Sequence, residues 1–280
     1  MPTTYAHWAF GRDCIKLMPE DIQNIIHEHR DIYDLAVHGP DILFYDMKSK
    51  KVNEIGVETH HMNAKHFFKN AKNSYKRFKQ KEEMLVYMIG FLTHFTLDSV
   101  CHTYVETKRK FENCTHNCVE GQWDRHLIVL DGRQPNLVDR AESLKPNKTN
   151  AKIISYFYPF DEKTILRTCK WQVRIVRLVN SISPFKEKCF RKVLTKFELY
   201  NYADLFMGQE EYKICQDSNL RLDKLRTKAL NLFPKLLRSL LSYIDTDKEL
   251  IKYFENNLED KSDEIVPVLS VDEEINYIVR

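Results

Sequence analysis

The amino-acid sequence predicts an all-α protein, a multi-helix bundle in which residues 1–280 form a single domain. Glycine and proline number only 7 and 9, whereas all-β folds need many turn residues. Hydrophobic residues make up 43% and charged residues 30%, as is typical of a globular protein with a sizeable core. Because apolar residues recur at helical spacing along most of the chain, helices should supply nearly all of the fold.

Four helices are expected in the first half of the chain. The first should begin near Glu20 and Asp21, whose charges suit the positive end of a helix dipole, and Gly39 and Pro40 are stop signals. The third is apolar enough for the middle of a core. The predicted elements are helices at 20–37, 62–79, 82–107 and 116–130, with an irregular loop at 42–58.

The second half should mainly complete the bundle. Residues 133–150 are polar and contain two prolines, so they should form either a linker or a surface excursion. The pattern is helical again from 161 to 258, and Pro234 should kink or break the last helix there because proline lacks the amide hydrogen. We therefore predict a metal-binding half at 1–130 and packing helices at 151–280.

Charge and cysteine usage narrow the functional classes. A net charge of +3 is too small to indicate nucleic acid or an anionic membrane, so no nucleic-acid partner is expected. No uncharged run approaches the ~20 residues of a transmembrane helix. The N-terminal sequence does not resemble a signal peptide, and seven scattered cysteines suggest reduced thiols. We expect a cytoplasmic protein, and its oligomeric state is left open.

The histidines point to a metal site. All eleven lie between His7 and His126, and neutral imidazole is the commonest metal ligand. In GFLTHFTLDSVCH, His94, Asp98 and His102 follow one another at intervals of four residues, which places them along one side of a helix. Unpaired in a core, each would cost several kcal/mol. They must line a hydrated cleft, hydrogen-bond one another or bind cations.

A second helix repeats this pattern. His116 and Glu120 in CTHNCVE have the same spacing, which places two ligands on one helical face. His7 and Asp41 are further candidates upstream, together with either His60 or His61. Five histidines and three carboxylates suit zinc, and also manganese or iron, and they exceed the needs of one tetrahedral site. Two or three ions are expected. The other histidines are assigned to packing or solvent: His27, His29, His38, His66 and His126. An alternative for His38 is to support a ligand from behind.

The chain resembles the zinc-dependent phospholipase C family in five stretches that occur in the family's order: TTYAHWAFG, HGPDILFYD, THH, GFLTHFTLDSVCH and HNCVEGQWDR. The superfamily includes the N-terminal domain of glycosylphosphatidylinositol phospholipase D and the single-strand nucleases, and the matching stretch covers about residues 3 to 128. The resemblance implies a helical bundle holding three zinc ions at a cleft. It also implies hydrolysis of a phospholipid or related phosphodiester by a metal-activated water, with Asp41 as the general base and with transient contact to a membrane surface.

The resemblance also implies how the ligands are shared. It assigns the third zinc to His7, with Asp98 as the carboxylate that bridges the first and third ions. Secreted relatives complete that third site with the amine of their first residue, so we hypothesise that Pro2 does so here after loss of the initiator methionine. The first zinc is assigned to Asp41, His60, His94 and Asp98, and the second to His102, His116 and Glu120.

The resemblance leaves the substrate open. The step from Asp98 to His102 equals that of the phospholipase D branch, so no headgroup or base-stacking pocket is carried over. The nearby aromatic residues are expected to pack in the core: Trp8, Phe44, Tyr45 and Trp123. Two alternatives stay open, a nuclease-like phosphodiesterase and a non-catalytic scaffold whose metals only hold helices together.

Overall fold

The computed structural model describes residues 4–112, 114–180, 183–197, 203–207, 210–246, 248–259 and 266–279. Within these ranges the regular elements are α-helices and short 3₁₀ helices, which confirms the predicted all-α class. The α-helices are α1 Thr4–Ile15, α2 Glu20–Glu28, α3 Arg30–Ala36, α4 Lys50–His61, α5 Ala64–Arg77, α6 Lys81–Phe111, α7 His116–Leu130, α8 Lys148–Ser155, α9 Glu162–Asn180, α10 Pro184–Lys196, α11 Gln216–Asp245 and α12 Val271–Asn276. The 3₁₀ helices are Gly39–Tyr45, Lys213–Cys215 and Lys252–Glu255.

Helix α6 is the centre of the bundle. It packs against α1, α3 and α7 from the first half and against α11 from the second. Nearly every side chain between Met84 and Val105 is buried, so the helix is apolar on almost all sides, as expected of one surrounded by others. Helix α3 approaches α6 closely at Gly90, where an added Cβ atom would lie 2.4 Å from the Cβ of Ala36.

By length and composition, α6 could also cross a membrane. Most of its apolar segment is buried inside the protein, however. A core helix passes the same test, so this observation is only weak support for a membrane span.

Residues 42–58 were expected to form an irregular loop, and that prediction was wrong. The first of them complete the 3₁₀ helix Gly39–Tyr45, and α4 begins at Lys50. The buried residues of α4 include Val52, Gly56 and Thr59, which recur at helical spacing. The charged residues between them hid this pattern.

One other helix boundary differs from the prediction. The expected helix at 20–37 is divided at His29, which ends α2 and precedes α3. Pro234 was expected to kink or break the last helix; α11 runs through it without a break, and a kink there stays a prediction. The flanking turns of α11 bury Phe233, Leu236 and Leu237, and this packing offsets the hydrogen bond that the proline cannot make.

Residues 133–147 form a surface excursion that packs back on the core. Val138 and Ala141 are buried. Arg140 lies with its Nη1 atom 3.5 Å from Oδ2 of Asp124 on α7. The excursion ends at Asn147, whose side chain accepts a hydrogen bond from the amide of Asn150 and caps α8.

The contact between Gly90 and Ala36 gives a test of the packing around α6. Gly90→Ala should lower the free energy of unfolding by roughly 1–2 kcal/mol, because overpacking outweighs the better helix propensity of alanine. Urea unfolding followed by circular dichroism would measure it. In Gly121→Ala on α7 the nearest atom lies at 3.3 Å, so its loss should be smaller; equal losses would contradict the account.

Candidate metal centre

The eight predicted ligands come from five elements, and the fold brings them together. His7 lies on α1, Asp41 on the 3₁₀ helix Gly39–Tyr45, and His60 on α4. The other five lie on α6 and α7. Donor atoms lie within 4.8 Å of one another in three groups: His7, Asp41 and His94; His60, His94 and Asp98; and His102, His116 and Glu120.

Asp98 is the centre of this cluster. Its Oδ1 atom lies 3.2 Å from Nε2 of His7, and its Oδ2 atom lies 3.0 Å from Nε2 of His94. The Nε2 atom of His102 is 3.8 Å from Oδ1. The two oxygens of one carboxylate therefore face histidines on different helices, an arrangement suited to a carboxylate that bridges two ions.

His60 is held by its backbone neighbours so that one nitrogen faces Asp41. Its Nδ1 atom lies 2.7 Å from the carbonyl oxygen of Gly56, which can only accept, so Nδ1 carries the proton. The Nε2 atom, 2.9 Å from Oδ1 of Asp41, then faces another acceptor. A positive charge, either a proton or a metal ion, must lie between them. The adjacent His61 is exposed and lies outside the cluster.

The same arrangement recurs where α6 meets α7. The Nδ1 atom of His102 lies 2.5 Å from the carbonyl oxygen of Leu258, and Nδ1 of His116 lies 2.7 Å from Oε1 of Glu106. Their Nε2 atoms converge on Oε1 of Glu120, at 3.4 Å and 3.0 Å. Histidines that ligate metals typically donate their other N–H to such an acceptor, which fixes the tautomer and orients the ring.

Asp124 positions His7. Helix α1 begins at Thr4, and its first amides have no partner within the helix. The carboxylate of Asp124 accepts hydrogen bonds from the amides of Tyr5 at 3.1 Å and Ala6 at 2.8 Å. Burial raises the pKa of Asp124 to about 6, although nearby Arg140 lowers it. Because Asp124 lies on α7, the start of α1 is fixed relative to Glu120.

Gly39 lets the 3₁₀ helix approach α6. Its φ angle is +49°, and an added Cβ atom would lie 2.4 Å from Cδ2 of His94. Only glycine can adopt this backbone without strain and leave room for the imidazole. The helix then lies against His94 and places Asp41 beside it.

The electrostatics of the cluster demand cations. Burial alone would raise the pKa of Asp98, but nearby His102 and His94 hold it well below its usual range. Burial also opposes the charge on Asp41, yet His94 and His60 lower its pKa to about 2. With Glu120, whose pKa is likewise lowered despite burial, three buried carboxylates are ionised at neutral pH. Buried charges of this kind must be paired or must coordinate metals.

Zinc fits this donor set. Imidazole nitrogen and carboxylate oxygen are its usual ligands beside thiolate. Nδ1 of His7 and Nδ1 of His94 are buried and have no hydrogen-bond partner among the described residues. Nε2 of His94 and Nε2 of His116 each lie 3.0 Å from a carboxylate oxygen, but in a direction unsuited to a hydrogen bond. A bound cation would satisfy such nitrogens, and the assignment of the eight residues as ligands stays a prediction.

Of the five histidines assigned to packing or solvent, four lie away from these three donor groups, whereas His38 lies beside His7, Asp41 and His94. His27 and His66 are exposed, His29 lies 3.5 Å from Glu82, and His126 pairs with Asp223 at 2.7 Å. His38 is fully buried at the start of the 3₁₀ helix, and neither ring nitrogen has a hydrogen-bond partner among the described residues. Burial lowers the pKa of His38 to about 3, so it is neutral.

The aromatic residues near the centre mostly pack in the core, as expected. Tyr45 and Trp123 are buried, while Trp8 and Phe44 are partly exposed. The ring of Phe44 lies 5.0 Å from that of His60, between centroids.

Four supporting groups were missing from the sequence prediction. Glu106 follows His102 by four residues and Asp124 follows Glu120 by four, so the spacing of the predicted ligands continues to their supports. The other two groups are the backbone carbonyls of Gly56 and Leu258, for which no sequence signal exists. Pro2, the hypothesised ligand at the N-terminus, lies outside the described residues.

Zinc affinity should depend on pH. Burial lowers the pKa of His102, but Asp98 and Glu120 outweigh burial and raise it to about 10. Without metal this histidine is therefore protonated at neutral pH, and zinc must displace the proton. Affinity should fall about tenfold or more between about pH 8 and pH 6. Calorimetry in buffers of different ionisation enthalpy would detect the released protons, and pH-independent binding without proton release would contradict this competition.

Glu106 should support zinc binding without being a ligand. Glu106→Gln weakens the acceptor for Nδ1 of His116 and should lower zinc affinity about 10- to 100-fold, as typical for partners of metal ligands. Arg109→Ala is the matched control, since Arg109 contacts the other oxygen of Glu106 and not His116. A competition assay with a zinc-binding dye would compare the two variants, and similar affinities would refute the supporting role.

Comparison with known proteins agrees with this geometry. The model of the family described as zinc dependent phospholipase C matches residues 6–169, which is more than half of the chain and includes all eight predicted ligands. No curated protein and no solved structure matches the chain. With a family match of this extent over a cluster of zinc-type donors, the chain belongs to the zinc-dependent phospholipase C family.

Proposed function

We propose that the protein is a zinc-dependent phosphodiesterase that hydrolyses a phospholipid or a related phosphodiester. The observation that carries the proposal is the position of Asp98, whose two oxygens face histidines of different helices at 3.2 Å and 3.0 Å. Clusters of two or more metals joined by carboxylates are suited to phosphoryl chemistry. Membership of the family supports the same reaction.

The cluster would hold two or three zinc ions. The predicted ligands form two sets of donors, and Asp98 lies between them. His7 faces Oδ1 of Asp98, whereas His94 faces Oδ2. The proposed ligands are Asp41, His60, His94 and Asp98 for the first ion, His102, His116 and Glu120 for the second, and His7 with Asp98 for the third.

Bound zinc would supply Lewis acidity, which lowers the pKa of a water molecule and polarises a phosphoryl oxygen. Asp41 is the proposed general base, because its ionised carboxylate can accept a proton. The Nε2 atom of His60 lies 2.9 Å from Oδ1 of Asp41, and this contact fixes the position of the Asp41 carboxylate. The carbonyl of Gly56 holds the ring of His60 on α4, and Gly39 lets the 3₁₀ helix that carries Asp41 approach His94.

Substrate would reach the cluster at the start of α7. The side chain of His116 is 19% exposed, the largest value among the eight, and the other seven residues are buried. This enclosure also favours a second candidate function, a scaffold whose metals join α6 to α7. A catalyst needs an open position at the metal, whereas a structural site is saturated and closed.

Adjacent histidines provide a matched test of the catalytic proposal. His60→Ala should remove bound zinc and lower the hydrolysis of a water-soluble phosphodiester at least 100-fold, whereas His61→Ala should leave both unchanged because His61 is exposed. Asp41→Asn, assayed beside its zinc content, should lower kcat, and a chelator should abolish wild-type activity. A wild-type protein that retains zinc, loses thermal stability on chelation and hydrolyses no phosphodiester would support the scaffold instead.

A further inference from the structure

Helix α10 presents an apolar ridge to solvent. Phe185, Cys189 and Val193 lie on α10, and Phe197 directly follows its last residue. They recur at intervals of four residues, a spacing that aligns side chains along one side of a helix. All four are exposed, and Phe185 and Phe197 expose 77% and 66% of their surface. Single exposed apolar residues are ordinary, but a continuous apolar strip usually marks an interaction surface.

A basic ridge runs beside the apolar one. Lys188, Lys192 and Lys196 also recur every four residues, and all three are exposed. Like charges at this spacing repel and destabilise a helix in solution, so an external negative charge would relieve them. The one acidic residue of α10, Glu187, is buried and pairs with Arg191 at 2.7 Å.

The opposite side of α10 is held on the protein. The guanidinium of Arg191 lies 3.6 Å from Oδ1 of Asp204 and stacks over the rings of Phe206 and Tyr212. The ring of Phe190 lies 5.9 Å from that of Phe206, between centroids. These contacts fix the rotation of the helix, so its apolar and basic ridges point away from the core.

The segment under α10 leads to the metal centre. The other carboxylate oxygen of Asp204 accepts a hydrogen bond from Oγ1 of Thr115 at 2.6 Å. Thr115 caps α7, and the next residue is His116, the most exposed member of the cluster. One bridging residue therefore separates α10 from the edge through which substrate would enter.

We propose that α10 docks the protein on an anionic phospholipid membrane. The phenylalanines and Val193 would enter the boundary between headgroups and acyl chains, while the lysines contact anionic headgroups. A second copy of the chain is a poorer occupant, because two-fold pairing of this narrow face would bring two lysine ridges together. The proposal goes beyond the proposed hydrolysis, since it rests on α10 and holds for a non-catalytic protein as well.

Co-sedimentation with vesicles tests the proposal. The full-length, zinc-loaded protein should bind vesicles of phosphatidylcholine mixed with phosphatidylglycerol at least about tenfold more tightly than vesicles of phosphatidylcholine alone. Binding should weaken as salt is added. Equal binding to both vesicles, or no binding to either, would overturn the proposal.

Variants separate the two ridges. Phe185→Ser with Phe197→Ser should weaken binding to the mixed vesicles about tenfold or more. Replacing Lys188, Lys192 and Lys196 by glutamine should remove most of the preference for anionic lipid. The matched control is Phe111→Ser with Leu137→Ser, whose residues are 76% and 77% exposed elsewhere on the chain and should not affect binding. Circular dichroism and Tm should show that every variant is folded.

Two other results would also overturn the proposal. One is equal vesicle binding by the phenylalanine variant and wild type. The other is a concentration-dependent dimer, detected by light scattering, that the phenylalanine variant converts to a monomer without vesicle binding by either form. The hydrolytic proposal is tested separately on a soluble phosphodiester, which the phenylalanine variant should cleave at the wild-type rate. Vesicle binding without any hydrolysis would remove only the hydrolytic proposal.

Discussion

Three ionised carboxylates in a nearly closed space are the constraint on which this structure depends. Asp41, Asp98 and Glu120 are each buried, and such charges are tolerated only when cations offset them. Protons on the histidines can do so in part, as the raised pKa of His102 shows. The orientation of the imidazoles favours metal, because the Nδ1 atoms of His60 and His102 are anchored on carbonyl groups and their Nε2 atoms face carboxylates.

The fold serves this cluster from both halves of the chain. Helix α6 passes through the middle of the bundle and carries three of the eight donors. The carbonyl of Leu258, far along the sequence, orients His102, and the amide of the same residue donates to the carbonyl of His60. A half without histidine thus fixes two of the predicted ligands through its backbone. It also contains α10, whose row of exposed lysines is not apparent from the net charge of +3.

Sequence periodicity predicted much of the site and less of its support. Spacing of four residues placed His94, Asp98 and His102 on one side of α6, and the structure shows them there. The helix that carries His60 was missed because its apolar residues are interrupted by charges. The Leu258 carbonyl was not predictable, since every residue has the same backbone acceptor and only the tertiary fold selects one.

The central claim is that the cluster needs metal, and the zinc content of the protein tests it most directly. The wild-type protein and the variants His60→Ala and His61→Ala would be purified without chelator. Their metal content would be measured by inductively coupled plasma mass spectrometry. The account predicts at least two zinc ions per wild-type chain, the same number in His61→Ala, and a loss in His60→Ala. Less than one metal ion per wild-type chain would contradict it.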